Sequence, residues 1–124
     1  MARFGFPRKA RLLTEGDFRR TYGAGSVRLH VAPLRVCAQR RTDGGSRLGL
    51  SIGRKVGNSV VRNRWKRAVR EAFRLNRHGL RAPHDMIVSV DWDAEPDRVG
   101  EVAAAFLAVV ERLNAREEAG DGHP

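Results

Sequence analysis

Residues 55–74 read KVGNSVVRNRWKRAVREAFR, and this stretch carries the strongest structural signal in the chain. Its apolar residues recur with the spacing of one helical face, which predicts an amphipathic α-helix. Asn58 or Ser59 supplies the N-cap, and the helix is predicted to end at about Arg77, before Gly79. The apolar face consists of Val61, Trp65, Ala68, Val69, Ala72 and Phe73.

The opposite face of this helix is basic. Residues 54–81 contain ten basic residues and one acid, Glu71. A basic stripe is often only solvated surface, but these cations lack acidic partners one turn away and repel one another. An anion is favoured at the start of the helix by the free amides at Gly53 and Gly57 and by the positive end of the helix dipole. Arg62 and Arg64 lie near this positive end, which is unfavourable for cations unless an anion is bound there. We therefore predict a polyanionic partner for the face formed by Lys66, Arg67, Arg70, Arg74 and Arg77.

Shorter patterns place the elements that precede this helix. Thr14 and Asp17 match the start of a helix, which continues through an aromatic pair and stops at a Gly-Ala-Gly run. Alternating apolar residues predict strands over 27–31 and 34–38. Pro33 interrupts this alternation and is expected at an edge position or a bulge, because proline cannot donate to a strand ladder.

Three further elements complete the predicted fold. The turn at 42–46 predicts that 48–52 forms the returning strand of a hairpin, and the apolar run 86–90 predicts a buried strand. The order αβββαβα indicates an α+β or α/β architecture, in which helices pack on one sheet. The last helix is predicted to bury Val99, Val102, Ala103, Phe106, Val110 and Leu113.

Length and composition limit the class of protein. The chain has 124 residues, of which 41% are hydrophobic, and this suits one domain over 1–116 with a disordered acidic tail over 117–124. The single cysteine, Cys37, excludes an internal disulfide framework and is predicted to be a small buried residue in a strand. No apolar stretch is long enough to span a bilayer, and the basic amino terminus lacks a signal peptide's apolar region. A cytoplasmic location is therefore expected.

Charge is divided unequally along the chain, although the total is +10. Residues 1–81 contain 21 basic and 4 acidic residues, a net charge of +17, whereas residues 82–124 contain 3 basic and 10 acidic residues, a net charge of −7. Arginine supplies 21 of the 24 positive charges, which is explained equally by phosphate binding or by a GC-rich genome. Genome composition does not explain the division, so the first part of the chain is predicted to bind a polyanion.

Groups for protein-borne catalysis are missing from this basic part. Its four acidic residues are Glu15, Asp17, Asp43 and Glu71, and they form no tight cluster in the sequence. The acidic run 91–97 lacks the glycine and terminal glutamate of a calcium loop and is interpreted as a solvated turn and helix start. The histidines lack metal-ligand spacing, so we predict no catalytic residue and no metal site. They are His30, His78, His84 and His123.

Phe18 and Tyr22 lie four residues apart, on one face of the first predicted helix. Periodicity alone favours core packing for both rings. Single-stranded RNA, however, is bound by stacking its bases on aromatic rings beside basic groups. Arg19 is adjacent and Arg11 lies shortly before the helix, so base stacking is the second interpretation.

Residues 55–74 resemble the signature of the bacterial ribonuclease P protein component, whose core is an Arg-Asn-Arg triplet inside a long basic helix, here residues 62–64. Residues 48–52 and 11–13, followed by Asp17 and Phe18, also fit this family, and the similarity covers about residues 6–113. Three features depart from its pattern and affect the detail of the sheet surface. They are Trp65 at a usually aliphatic position, Tyr22 where phenylalanine is commoner, and Pro33 in a strand that lacks the usual aromatic-aliphatic run.

The resemblance implies a fold of four strands and three helices, with a left-handed βαβ crossover around the signature helix. It also implies that the chain is the protein subunit of a ribonucleoprotein endonuclease that hydrolyses the 5′ leader from precursor tRNA. The catalytic RNA and its bound Mg²⁺ carry out the chemistry, and the protein alone holds no cofactor. The implied partners are this RNA and precursor tRNA, with no membrane and no protein partner.

Two groups of residues are predicted to bind RNA on the basis of the resemblance. Asn58 is a candidate for RNA contact or for helix capping, and Asn63 for RNA contact or for fixing the loop. The signature group is Lys55, Asn58, Arg62, Asn63, Arg64, Lys66, Arg67, Arg70 and Arg74. The leader cleft is predicted to contain Phe18, Tyr22, Arg19, Arg11, Arg28 and Arg35.

Other interpretations explain part of the pattern. A ribosome-associated structural protein would share the size and charge, and it is the main alternative. A DNA-binding module would use the basic helix in a major groove, but the sequence has no helix-turn-helix spacing or dimer seam. The sequence leaves open the type of catalytic RNA, the holoenzyme's oligomeric state, and which basic residues contact catalytic RNA or substrate.

Overall fold

Helices and strands follow one another in the predicted order in the computed structural model, which describes residues 8–12 and 14–119. The amino terminus, the end of the predicted tail and His123 lie outside the described residues. Short 3₁₀ turns precede or follow several elements, among them Arg8–Ala10, Arg54–Val56 and Arg77–Gly79. The main elements are α1 (Glu15–Thr21), β1 (Val27–Val31), β2 (Leu34–Arg40), β3 (Arg47–Leu50), α2 (Ser59–Asn76), β4 (His84–Val90) and α3 (Val102–Ala119).

The four strands form one mixed sheet in the order β1-β2-β4-β3. β2 pairs antiparallel with both β1 and β4, whereas β3 pairs parallel with β4. The prediction that residues 48–52 return as a hairpin partner of β2 is therefore wrong. β4 lies between β2 and β3 in the sheet. It is buried at six of its seven positions, as expected of a strand that is covered on both faces in the middle of a sheet. β3 ends at Leu50, and Ile52 is buried in the loop that follows.

A hairpin does join β1 to β2, with Ala32 and Pro33 in its turn. The peptide between these two residues is cis. Pro33 therefore lies in the connection between the strands rather than in a bulge, and β1 is an edge strand. In this position the missing amide of proline costs the sheet no hydrogen bond.

One face of the sheet packs against α2 and α3 and forms the core. Trp65, Val69 and Phe73 of α2 are buried as predicted, and the Phe73 ring meets Phe106 of α3 edge to face at 6.3 Å between centroids. The stripe predicted for the last helix is wrong at Ala103, which is exposed, and at Val99, which is half-buried in a 3₁₀ turn before α3. Ala105 and Val109 are buried instead. Residues 103–105 are all alanine, so hydrophobic periodicity cannot show which of them packs into the core.

Helix starts follow the sequence signals closely. Thr14 caps α1, and its hydroxyl accepts from the amide of Asp17 at 3.0 Å within a complete capping box. Asn58 caps α2 by accepting from the amide of Val61 at 3.0 Å. Gly57, just before this cap, has a φ of +155° and leaves no room for a side chain.

At the carboxyl end, α3 continues to Ala119, so the first three residues assigned to the tail are helical. Arg40 Nε on β2 donates to Glu117 of this last turn at 2.9 Å. The unit β3-α2-β4 is the expected crossover between parallel strands. The left-handedness of this crossover remains a prediction. No helix within 8–12 and 14–119 is both long and apolar enough to cross a membrane.

Candidate nucleic-acid interface

The second face of the sheet carries polar and cationic side chains because strand residues alternate between the two faces. Register aligns Arg28 with Cys37 and Ile87, and His30 with Arg35 and Ser89. α1 packs over part of this face and leaves the rest open as a groove of about 280 Å³, the sheet groove. Its lining includes Tyr22, Arg28, His30, Arg35, Ile87 and Ser89.

Tyr22 forms the aromatic wall of the sheet groove. As the residue that ends α1, it remains 42% exposed, which rules out full core packing for this ring. The guanidinium carbon of Arg28 lies 5.6 Å from the ring centre, within the range of a cation–π contact. An exposed ring beside a cation offers both a stacking surface and a phosphate contact to a single strand of nucleic acid.

Asp91 contacts two residues that line the sheet groove, His30 and Arg35. Its Oδ1 accepts from Arg35 Nε at 2.6 Å, and its Oδ2 lies 3.0 Å from His30 Nε2. The carboxylate side chain is only 12% exposed. Burial opposes ionisation, but the hydrogen bonds from His30 and Arg35 outweigh it and lower the pKa of Asp91. The interpretation of this residue as part of a solvated turn is therefore wrong.

Side chains on β2 fasten α1 to the sheet beneath it. Cys37 is buried as predicted, and its Sγ donates to the carbonyl of Thr21 at 3.5 Å. Gln39 Nε2 donates to the carbonyl of Ala24 at 2.9 Å and to that of Arg20 at 3.3 Å. These contacts hold Tyr22 at a fixed height over the sheet.

Phe18 lies in a different groove from Tyr22. Its ring covers Gly49 of β3 so closely that a Cβ on this glycine would lie 2.7 Å from Phe18 Cζ. A groove of about 450 Å³, the strand-edge groove, includes Phe18, Arg11, Leu48 and Arg70 in its lining. The predicted leader-cleft residues are thus divided between two grooves, and the exposed Arg19 lines neither of them.

An ion-pair network that the sequence did not indicate joins α1, β3 and β4. Arg47 donates from Nε and Nη2 to the two carboxylate oxygens of Asp85, at 2.8 and 2.7 Å. This hydrogen bonding raises the pKa of Arg47 although burial opposes it. Asp17 Oδ1 lies 3.7 Å from Arg47 Nη1, so α1 is tied to the sheet at this end as well. Only the topology brings these residues together, and no local pattern predicts it.

Four residues of the predicted signature group share one exposed face of α2, which we call the signature face. Asn63, Arg67, Arg70 and Arg74 line a groove of about 420 Å³ on this face, together with Glu71. Arg74 was expected to lack an acidic partner, but its Nε donates to Glu71 at 3.1 Å. This hydrogen bond lowers the pKa of the Glu71 carboxylate. Arg70 also lines the strand-edge groove and so joins the two surfaces.

The other members of the signature group lie apart from this groove. Arg64 on α2 and Lys55 in the turn before it are exposed. Lys66 and Arg62 are half-buried, and the buried Arg62 Nε has no hydrogen-bond partner among the described residues. Asn58 serves as the helix cap. Arg77, predicted on the same basic face, lines another groove with the β2–β3 loop.

A search of the described part of the chain finds no group of three or more His, Cys, Asp and Glu residues placed to hold a metal ion. Three cationic surfaces, the sheet groove, the strand-edge groove and the signature face, each contain several of the predicted residues.

Comparison with known proteins assigns this arrangement to a family. A family model described as Ribonuclease P matches residues 6–114. The chain belongs to this family. It is 38% identical over 114 residues to a ribonuclease P protein component from Geotalea uraniireducens, covering 92% of this chain and 99% of that protein. A ribonuclease P protein component from Chromohalobacter salexigens is 45% identical over 85 residues, which cover 68% of this chain and 66% of the relative.

Solved structures of the ribonuclease P family share the fold. The Staphylococcus aureus RNase P protein matches with a TM-score of 0.69 at 26% identity, covering 85% of this chain and 98% of that one. The Thermotoga maritima RNase P protein matches with a TM-score of 0.59 at 29% identity, covering 83% and 90%. The resemblance of residues 55–74 and the predicted α+β fold class are both confirmed.

Proposed function

We propose that this chain is the protein subunit of ribonuclease P, which binds the catalytic RNA and the 5′ leader of precursor tRNA and assists endonucleolytic removal of the leader. Family membership supports the role in tRNA processing. Within the molecule, the observation that carries the proposal is the sheet groove, in which the exposed Tyr22 ring stands beside Arg28.

The leader binds in the sheet groove. Bases stack on Tyr22, while Arg28 and Arg35 contact phosphates along the strand. Asp91 holds Arg35 at a fixed place through its 2.6 Å hydrogen bond, so little side-chain entropy is lost when RNA arrives. Phe18 and Arg11 contact RNA from the neighbouring strand-edge groove.

The signature face binds the phosphate backbone of the catalytic RNA. Asn63, Arg67, Arg70 and Arg74 present donors on one side of a rigid helix, whose opposite side is anchored in the core by Trp65. Arginine suits this task because its planar fork can donate two parallel hydrogen bonds to a phosphate. Arg62, Arg64, Lys66 and Lys55 extend the contact on either side of this face.

Hydrolysis belongs to the RNA subunit and to the Mg²⁺ ions that it binds, which lower the pKa of the attacking water and stabilise the transition state. The protein contributes affinity and orientation: it holds the leader at the sheet and the catalytic RNA at α2. The reaction takes place in the cytoplasm, and no membrane or second protein is required.

Reconstitution tests this proposal. The full chain is mixed with catalytic RNA and precursor tRNA at a Mg²⁺ concentration too low for the RNA to work well alone. We expect accelerated cleavage at one site, the 5′ end of the mature tRNA, and no cleavage by the chain without the RNA. Unaccelerated cleavage would overturn the proposal and favour a ribosome-associated structural protein.

A further inference from the structure

Another groove lies where β3 begins, outside the sheet groove and the signature face. Its volume is about 720 Å³, larger than the 280 Å³ of the sheet groove. We call it the end groove, and three segments wall it: the turn Arg8–Ala10, the loop between β2 and β3, and the turn Arg77–Gly79. The polar residues in its lining are Lys9, Arg41, Ser46, Arg47, Arg77 and His78.

Each wall of the end groove is fastened to the rest of the fold. Asn114 of α3 donates from Nδ2 to the carbonyl of Gly79 at 2.9 Å and accepts from the amide of Arg81 at 2.8 Å. Ser46 accepts from the amide of His84 at 3.0 Å, which fixes the β2–β3 loop. The amide of Leu12 donates to β3 at 3.0 Å and holds the amino-terminal turn. The groove is therefore preformed.

Positive charge in the end groove exceeds what its acids neutralise. Asp85 holds Arg47 through two hydrogen bonds and lies 3.7 Å from Arg41 Nε. By contrast, Lys9 and Arg77 make no ion pair with any residue that the structure describes. A built cavity with cations left over is suited to an anion with several charged groups.

The chemistry of the lining distinguishes a phosphate backbone from unpaired bases. Single strands are bound by stacking on aromatic rings, and the lining of the end groove includes none apart from the imidazole of His78. The end groove also lies next to the strand-edge groove, which shares Arg70 with the signature face. Arg70 belongs to the strand-edge groove, whose residues Arg11 and Leu48 directly follow Ala10 and Arg47 of the end groove.

We propose that the end groove binds the ribose–phosphate backbone of the catalytic RNA, so that one RNA segment runs from the signature face along the β3 edge to Lys9 and Arg77. This inference rests on the proposed function. It assigns a binding role to residues outside the signature group and the leader cleft, and of these only Arg77 was predicted from the sequence to face a polyanion.

The test compares two double variants of the full chain, each lacking two positive charges. Lys9→Gln with Arg77→Gln removes two unpaired cations of the end groove, and Arg112→Gln with Arg116→Gln removes two from α3 as the matched control. If circular dichroism shows that the first variant is unfolded, the single variant Lys9→Gln at an exposed residue replaces it, with Arg112→Gln as its control and half the change in salt slope expected. Dissociation constants are measured with catalytic RNA alone over a salt series, and with precursor tRNA at saturating catalytic RNA.

We expect the end-groove variant to bind catalytic RNA about 5- to 30-fold more weakly, as two lost ion contacts would require, and the control to bind like the parent. The slope of log affinity against log salt should fall by about 1.4–1.8. Parent-like binding, a loss no larger than the control's, or a loss confined to precursor tRNA would each overturn the inference. Failure of the unsubstituted chain to bind catalytic RNA would overturn the proposed function itself. Normal binding by the unsubstituted chain, with no specific loss in the end-groove variant, would overturn only the inference about the end groove.

Discussion

At the scale of single residues, the sequence could predict Tyr22 in the sheet groove but not Asp91, which contacts two residues of its lining. Tyr22 was identified from its spacing to Phe18 and from the family pattern, both of which are local. Asp91 was missed because its partners His30 and Arg35 are 61 and 56 residues away, and only strand pairing brings them together. Local patterns therefore predicted Tyr22 as a candidate stacking ring, but they did not predict the carboxylate that binds His30 and Arg35.

Replacing Tyr22 by alanine tests the stacking surface. Tyr22→Ala should weaken binding of precursor tRNA by about 1–3 kcal/mol, the contribution of one base–aromatic stack. The measurement is the dissociation constant of the holoenzyme for precursor tRNA with and without its leader. Tyr22→Phe is the matched control, since it keeps the ring and should bind like the parent. Equal affinity of the alanine variant and the parent for leader-bearing substrate would exclude this cleft assignment.

The stability contributed by Asp91 should depend on pH. Its pKa is lowered in the folded chain, so this stabilisation is present above the ordinary value of 3.8 and is lost as the pH falls through the folded pKa. Asp91→Asn should therefore lower the free energy of unfolding by about 1 kcal/mol at neutral pH, and the difference should shrink in acid. Urea unfolding at a series of pH values measures it, with the exposed Asp93→Asn as control. A difference that stays constant with pH would contradict the assignment.

At the scale of elements, helix ends were predictable and strand partners were not. Thr14 and Asn58 marked the starts of α1 and α2 correctly, because a cap is a contact between residues three apart. The hairpin predicted for 48–52 failed because alternation shows that a segment is a strand but not which strand it pairs with. The strand order places β4 in the middle of the sheet, where both of its faces are buried. The helices that cover β4 are distant from it in the sequence, so a local pattern does not show this position.

Gly57 controls the entry into α2, and hence the position of the signature face. At its φ of +155° a side chain is strained, and a Cβ would lie 2.8 Å from Val61 Cγ1. Gly57→Ala should destabilise the chain by about 1–3 kcal/mol in denaturant unfolding. Gly53→Ala is the control, because its Cβ meets nothing within 4 Å and its φ of −90° suits alanine. Equal stability of both variants would show that the entry is not constrained as described.

At the scale of the whole molecule, the division of charge predicted which part of the chain supplies the groove cations, but not how they are arranged. Residues 1–81, with a net charge of +17, supply most of the cations that line the grooves. The sequence pattern predicted one continuous basic surface on α2, but Arg74 and Arg77 line different grooves. Phe18 and Tyr22 also line different grooves. Such divisions follow from sheet order and helix packing, which a linear count of charge does not contain.

The central claim is that the basic part of this chain holds RNA by its phosphates and leaves the chemistry to the RNA. The most direct measurement is the affinity of the chain for catalytic RNA over a series of monovalent salt concentrations. Contact with about six phosphates predicts that log affinity falls with log salt with a slope of about 4–5. A shallow slope near one would contradict the claim.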